Sequence, residues 1–313
     1  MPVLVSESDP RNLQFADEYP LDLSHESEDE AYLPIDPKHP ILIAGKIENE
    51  HSTLEMYLYN EEESNLILHH DVILGNFPVC LEWLGLDLAS IDGDSAAAGN
   101  FAILGSMAPH IELWDLNSFE PSQPYSTLEG KNGHTDAVTG LSLHSTRKNI
   151  LASSSADCTV KIWDLEKCAN IFTYSDNRDK MQGVLWDPLQ ESSLITFSMD
   201  GVIKHFDARD EKSVRKIKTK KDTEIESFTV VADRIFVGYA NGCLEEFSSA
   251  QLKNVPLKSL KTHQNAVMSI VACNNGLLVT NDIKGHMKIL ESESMKLIGE
   301  EHTKGEQLYV SSV

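Results

Sequence analysis

GHTDAVTGLSLHSTRKNILASSSADCTVKIWD, residues 133–164, runs from a Gly-His pair to a Trp-Asp pair and carries three β-like apolar runs in between. Period-two alternation such as VKIW (160–163) is the mark of a strand with one buried face. A sheet this small cannot bury both faces alone, so one such unit implies neighbours at a spacing of about 40–45 residues.

The neighbours are present. Trp114-Asp115 closes one unit and Trp163-Asp164 closes the next, 49 residues on. Phe206-Asp207 follows Trp163 after 43 residues, Phe247 follows Phe206 after 41, and Leu290 follows Phe247 after 43. Going backwards, Tyr59 stands 55 residues before Trp114, and residues 85–99 (GLDLASIDGDSAAAG) supply the excess as a small, acidic, Gly-rich loop. The runs IELW, VKIW, VIKHF, CLEEF and HMKIL end the units in the same way. Ahead of four of them lie the turn pairs Asp157-Cys158, Asp200-Gly201, Asn241-Gly242 and Lys284-Gly285. Glycine accepts the positive φ of a tight hairpin. The pattern predicts an all-β chain, a WD40-type β-propeller with six recognisable blades. Residues 307–313 read as the first strand of an incomplete seventh. The expected organisation is an acidic arm over 1–38 and the propeller over 39–313.

At 313 residues a single ring of blades buries about three quarters of its unfolded surface and needs no staples. The five cysteines (Cys80, Cys158, Cys168, Cys243, Cys273) have no C-x-x-C spacing and read as reduced thiols rather than a metal site or disulfides. No apolar run approaches the roughly 20 residues of a membrane helix, and the N-terminus has no basic start followed by an apolar core. A formal charge of −23 argues against nucleic-acid binding by the surface at large. The charge is uneven, however. Residues 7–36 hold ten acids and one base, and read as a mobile arm. Residues 204–221 hold eight bases: Lys204, Arg209, Lys212, Arg215, Lys216, Lys218, Lys220 and Lys221. Within that run Lys212, Arg215, Lys216, Lys218, Lys220 and Lys221 are the candidate RNA-phosphate contacts, against the alternative of a charged linker between blades.

His134, Asp157, Trp163 and Ser153 (or Ser155) can form a linked hydrogen-bond set inside the third blade. The imidazole donates to the carboxylate, its other nitrogen meets the hydroxyl, and the hydroxyl accepts from the indole N–H. The same residue types make a hydrolase triad, but no G-x-S-x-G elbow surrounds either serine and all members lie within one repeat. No enzyme is expected, and no cofactor. The last three units lack both the His and the Trp, which makes them the divergent ones. His69-His70-Asp71 is a candidate metal cluster, yet adjacent residues of a regular strand face opposite sides, which favours a structural role. There is no phosphate loop of the G-x-x-x-x-G-K-[ST] form and no H-E-x-x-H.

Residues 66–84, LILHHDVILGNFPVCLEWL, join His69-His70-Asp71 through Pro78 to Glu82-Trp83. Residues 99–117, GNFAILGSMAPHIELWDLN, add Gly99-Asn100, Gly105, Pro109, Ile111-Glu112 and Trp114-Asp115. Together with GHTDAV (133–138) and the ASSSAD-to-IWD run, these stretches resemble the periodic tryptophan protein 1 family of WD-repeat proteins. The likeness spans roughly 30–300 and is densest between Ile41 and Asp210. The resemblance implies a nuclear, mainly nucleolar protein that assists large ribosomal subunit assembly and pre-rRNA processing. The expected partners are pre-ribosome assembly factors and basic ribosomal proteins, with rRNA along the basic run, and no membrane. The alternative it implies is a chromatin-associated reader of histone tails affecting rRNA gene transcription. The chain departs from the family in a short acidic arm where a long acidic region and a Trp-bearing strand are usual. It also departs in a Lys-rich insert reduced to Glu129-Gly130-Lys131-Asn132. An acidic body and arm attract basic proteins at long range.

Overall fold

In the computed structural model of the chain the described residues are 40–302, apart from 49–50, 62, 86–98, 119–120, 176, 220–222, 251–252 and 274. The acidic arm, the strand expected at 307–313 and most of the 85–99 loop lie outside the described residues. The rest forms six antiparallel sheets. The first has three strands, β1 (Ile41–Glu48), β2 (His51–Asn60) and β3 (Asn65–Leu74). The second has β4 (Pro78–Leu84), β5 (Phe101–Ser106), β6 (Ile111–Asp115) and β7 (Ser126–Leu128). The third has β8 (Val138–Leu143), β9 (Ile150–Ser155), β10 (Val160–Asp164) and β11 (Ala169–Tyr174). The fourth has β12 (Met181–Trp186), β13 (Ser193–Ser198), β14 (Val202–Asp207) and β15 (Asp210–Lys218). The fifth has β16 (Ile225–Val231), β17 (Arg234–Tyr239), β18 (Cys243–Ser248) and β19 (Lys258–Lys261). The sixth has β20 (Val267–Ala272), β21 (Leu277–Asp282), β22 (His286–Glu291) and β23 (Leu297–His302). The arrangement is a six-bladed β-propeller of the WD-repeat type.

One backbone latch repeats through all six sheets. The N–H just past the third strand of a blade donates to the carbonyl just before its second strand: Leu116 to Asn100, Leu165 to Asn149, Ala208 to Ser192, Ser249 to Asp233 and Ser292 to Gly276. In the first sheet the same bond runs from Tyr59 to Pro40. β1, β2 and β3 therefore correspond to the second, third and fourth strands of the other blades. The latch also fixes the register. Trp163 and Leu165 stand two apart, so the counterpart of Trp114 in the first sheet is Tyr57, not Tyr59 as the spacing suggested. Cys158, Gly201, Gly242 and Gly285 take φ of 68°, 73°, 80° and 78° in the second-to-third-strand turns. A Cβ on Gly242 would come within 2.2 Å of the His263 carbonyl, so only glycine fits there.

Apolar side chains fill the spaces between consecutive sheets. Leu54, Met56 and Leu104 pack between the first and second, and Leu84, Ile103, Leu141 and Trp163 between the second and third. Val160, Trp186 and Phe206 pack between the third and fourth. Ile203, Ile217, Val237 and Phe247 pack between the fourth and fifth, and Leu244, Val267 and Leu290 between the fifth and sixth. Among the described residues these five cores sit between neighbours in the chain, and none joins the sixth sheet to the first. Inner strands are also tied laterally. Thr139 Oγ1 donates to the Met181 carbonyl (2.8 Å), Ser227 Oγ to the Val267 carbonyl (2.6 Å), and Cys80 Sγ approaches the Val138 carbonyl (3.6 Å).

Candidate functional site

The third blade builds one continuous polar lock. Trp163 Nε1 donates to Ser153 Oγ at 2.8 Å, and Ser153 Oγ lies 2.8 Å from His134 Nε2. His134 Nδ1 lies 2.9 Å from Asp157 Oδ2. Burial holds His134 below its ordinary value despite the Asp157 charge. Burial pushes the Asp157 carboxyl up, but bonds from His134, Thr159 and the Thr135 N–H outweigh it and hold it well below the usual carboxylate range. A neutral imidazole with its proton on Nδ1 satisfies every group: indole to hydroxyl, hydroxyl to Nε2, Nδ1 to carboxylate. Ser153 is fully buried and both ends of its hydroxyl are used. This Ser-His-Asp set fastens strands and presents no nucleophile. Ser155, the other serine considered, donates instead to the Asp136 carbonyl.

The other blades answer the same packing problem differently. In the second, Trp114 has Leu104 where the hydroxyl would stand, and its indole donates to Glu112 Oε2 at 2.9 Å, with His110 3.0 Å from the other oxygen. In the fourth, Phe206 replaces the indole, and the fully buried Thr196 Oγ1 has no hydrogen-bond partner. The sixth blade corrects the expectation that the late units lack the histidine. His263, 4% exposed, lies 2.9 Å from Thr280 Oγ1, the register equivalent of Ser153. Leu290 takes the tryptophan's place, and Asp282 stands 4.0 Å from His263 Nδ1. The overlooked signal is spacing: His263 precedes Val267 by the four residues that separate His134 from Val138.

The His-His-Asp run also departs from its expected geometry. The β2–β3 register jumps between Met56 and Tyr57, leaving His69 as the extra residue of a bulge. Both imidazoles consequently turn together, with Nδ1 atoms 2.7 Å apart, instead of facing opposite sides. A structural or catalytic zinc ion takes three or four protein ligands. Among the described residues no group of three or more His, Cys, Asp or Glu side chains could hold an ion. Farther on, the Glu82 carboxyl is lifted by burial to about 8, against the Leu143 N–H and the Lys148 charge.

The basic run is divided by the fold. Lys204 is buried, donates to Asn177 Oδ1 at 2.8 Å and lies over the Tyr174 ring. Arg209 forks onto Asp207 at 3.0 and 2.8 Å. Arg215 donates to His205 Nδ1 at 2.9 Å, and His205 Nε2 donates to the buried Asp187 at 2.8 Å. Lys216 and Lys218 are exposed on either side of the buried Ile217, so their side chains project together from β15. Lys212 lies in the same strand. Lys220 and Lys221 lie outside the described residues. The Lys218 N–H donates to Asn254 Oδ1 at 2.8 Å, which ties this edge to the fifth blade.

The WD domain, G-beta repeat family matches residues 122–164, a stretch that contains all four residues of the lock. The chain is 31% identical over 285 residues to the Periodic tryptophan protein 1 homolog of Drosophila melanogaster, covering 86% of this chain and 60% of that protein. It is 27% identical over 304 residues to Periodic tryptophan protein 1 of Saccharomyces cerevisiae, covering 79% of this chain and 52% of that one. It is 36% identical over 95 residues to Ribosome biogenesis protein YTM1 of Debaryomyces hansenii, covering 28% of this chain and 20% of that protein. The chain thus spans little more than half the length of the periodic tryptophan proteins it matches. Its six-bladed frame and its relatedness over most of its length agree: the chain is a WD-repeat protein similar to the periodic tryptophan protein 1 family.

Proposed function

We propose that this chain is a non-catalytic scaffold of ribosome biogenesis in the nucleus and nucleolus, acting in large-subunit assembly and pre-rRNA processing. The observation that carries this reading is the similarity across 86% of the chain to a periodic tryptophan protein, reinforced by the shorter match to a protein named for ribosome biogenesis. The physical chemistry is in keeping with it. A frame of sheets locked by buried hydrogen bonds presents many loops at fixed positions, which suits simultaneous grip on several partners. The partners are pre-ribosome assembly factors and basic ribosomal proteins, drawn in by a body of net charge −23 and by the acidic residues of 1–38. Ribosomal RNA passes along β15, touching Lys212, Arg215, Lys216 and Lys218, with Lys220 and Lys221 beyond.

Affinity purification of the tagged protein from nuclear extract, with and without nuclease, tests the reading. Recovery of large-subunit precursor RNA with assembly factors supports it, and nuclease resistance of the protein partners assigns the hold to protein contacts. Recovery of nucleosomes without pre-ribosomes overturns it.

A further inference from the structure

A groove of about 310 Å³ opens on the circumference of the propeller between the outer strand of the fifth blade and the outer half of the sixth. Its apolar lining is Leu260 from β19, Leu290 from β22, and Met295 and Leu297 from the turn and strand that follow. Lys261, Lys288 and Lys296 stand around it. Leu290 and Met295 are buried and form the floor, while Leu260 and Leu297 stay 39% and 43% exposed and form the walls. Among the described residues no acid lines the groove, in a chain with 49 acids against 26 bases. Lys288 lies 3.6 Å from Glu300, and Lys261 turns its ammonium to the Asn241 carbonyl. Lys296 is exposed and has no carboxylate within ion-pair distance among the described residues. The two blades are already braced at this edge. Lys258 meets the Glu293 carbonyl, and Arg234 reaches the Ser292 carbonyl at 3.4 Å.

From this we infer that the groove between β19 and β22–β23 is a docking site for an acidic segment of a partner protein that carries an aliphatic anchor. The floor of Leu290 and Met295 offers burial for one branched side chain, and Lys296 at the lip takes a flanking carboxylate, with the Lys261 and Lys288 ammonium groups adding positive charge beside it. Burying an aliphatic anchor contributes about 1.5–3 kcal/mol before ordering costs, and ion pairs at a partly desolvated lip choose the partner and set its register. RNA fits the lip but not the floor: single-stranded bases hold on by stacking on aromatic rings, and the lining contains none. The site is separate from the β15 lysines and takes a partner of the opposite charge to the basic ribosomal proteins, so it stands or falls independently of the function proposed above.

The test is a fluorescence-anisotropy titration of the full chain with a labelled dodecapeptide alternating glutamate and leucine. Its controls are the same peptide with lysine for glutamate, and a twelve-nucleotide oligouridylate. Saturable binding of the acidic peptide alone is expected, weakened about tenfold or more by Lys261→Glu combined with Lys296→Glu, and similarly by Leu260→Ser. All three side chains are exposed enough that the fold survives, which a thermal melt verifies. Lys131→Glu with Lys180→Glu changes the net charge equally on other blades and leaves binding intact. Three results overturn the assignment. One is oligouridylate binding as tightly as the peptide. Another is peptide binding indifferent to the groove substitutions. The third is absent peptide binding together with concentration-dependent dimerisation that Leu260→Ser abolishes.

Discussion

The indole nitrogen of Trp163 lies 2.8 Å from Ser153 Oγ, and one blade further on Phe206 leaves the equivalent Thr196 hydroxyl buried with no partner. The two blades pose one packing problem with and without its polar solution. Trp163→Phe keeps the ring and orphans Ser153, at a cost of about 1–3 kcal/mol. Trp163→Ala also opens a cavity between the second and third sheets and costs about 3–5 kcal/mol. Urea denaturation of the two variants gives both numbers, and the ordering Ala worse than Phe is the expected result.

Thr196→Val is expected to be neutral or to stabilise by up to about 1 kcal/mol. It removes a hydroxyl that has lost its water without gaining a bond, and it keeps the shape. The same change at the equivalent site of the third blade, Ser153→Val, strands both the indole and the imidazole and destabilises by about 2 kcal/mol or more. Parallel melts of the two variants separate an idle hydroxyl from a working one.

The lock also sets an acid limit. His134 is held below 6.5 by burial and Asp157 well below 3.8 by its donors. In both groups the unfolded chain binds protons more readily than the folded one. Their contribution is therefore complete at neutral pH. It declines below about 6.5 through the histidine and again below about 3.8 through the aspartate. His134→Gln lowers stability at pH 7.5 but flattens the decline between pH 6.5 and 4.5. Denaturant midpoints at half-unit pH steps would show it, and parallel curves for parent and variant would refute the assignment.

Glu82 acts in the opposite sense. With its carboxyl lifted from 4.5 to about 8, the folded state holds the proton more tightly than the unfolded chain. Stability is then lost as pH rises from about 4.5 towards 8. Glu82→Gln keeps an acceptor for the Leu143 N–H and removes the charge. The variant should exceed the parent by about 1–2 kcal/mol at pH 8 and match it near pH 4.5, as read from melts at the two values.

Arg215 is a structural cation as well as a rim charge. Removing it leaves His205 Nδ1 and the His205–Asp187 pair without their outer donor, at about 1–2 kcal/mol. Lys218→Ala, on an exposed side chain three residues along the same strand, stays within about 0.5 kcal/mol. RNA-binding data on Arg215 variants therefore carry meaning only beside their stabilities.

The blade count and the third blade's lock were legible because repetition and residue chemistry coincide there: His134, Ser153, Asp157 and Trp163 are all of the expected type. The sixth blade was misread because Thr262 replaces the glycine before His263 and Leu290 replaces the tryptophan, so only the spacing survives. The His69–His70 pairing was beyond reach, since a bulge shows only in the register between two strands. The counterpart of Trp114 was misplaced by two residues for a related reason. Tyr57 and Tyr59 share a parity on β2, and only the Tyr59-to-Pro40 bond decides between them. The basic run looked like one patch. Its division followed from partners distant in sequence, such as Asp187 and Asn177.

Among the described residues the five cores are joined in series, like the links of a chain. A blade in the middle shares an apolar seam with a neighbour on each side, whereas the described residues of the first and sixth share one each. Opening the third blade therefore dissolves two of these seams, which raises the free energy of exposing its lock. The stretch whose sequence announced the fold is thus gripped by an apolar seam on each of its faces.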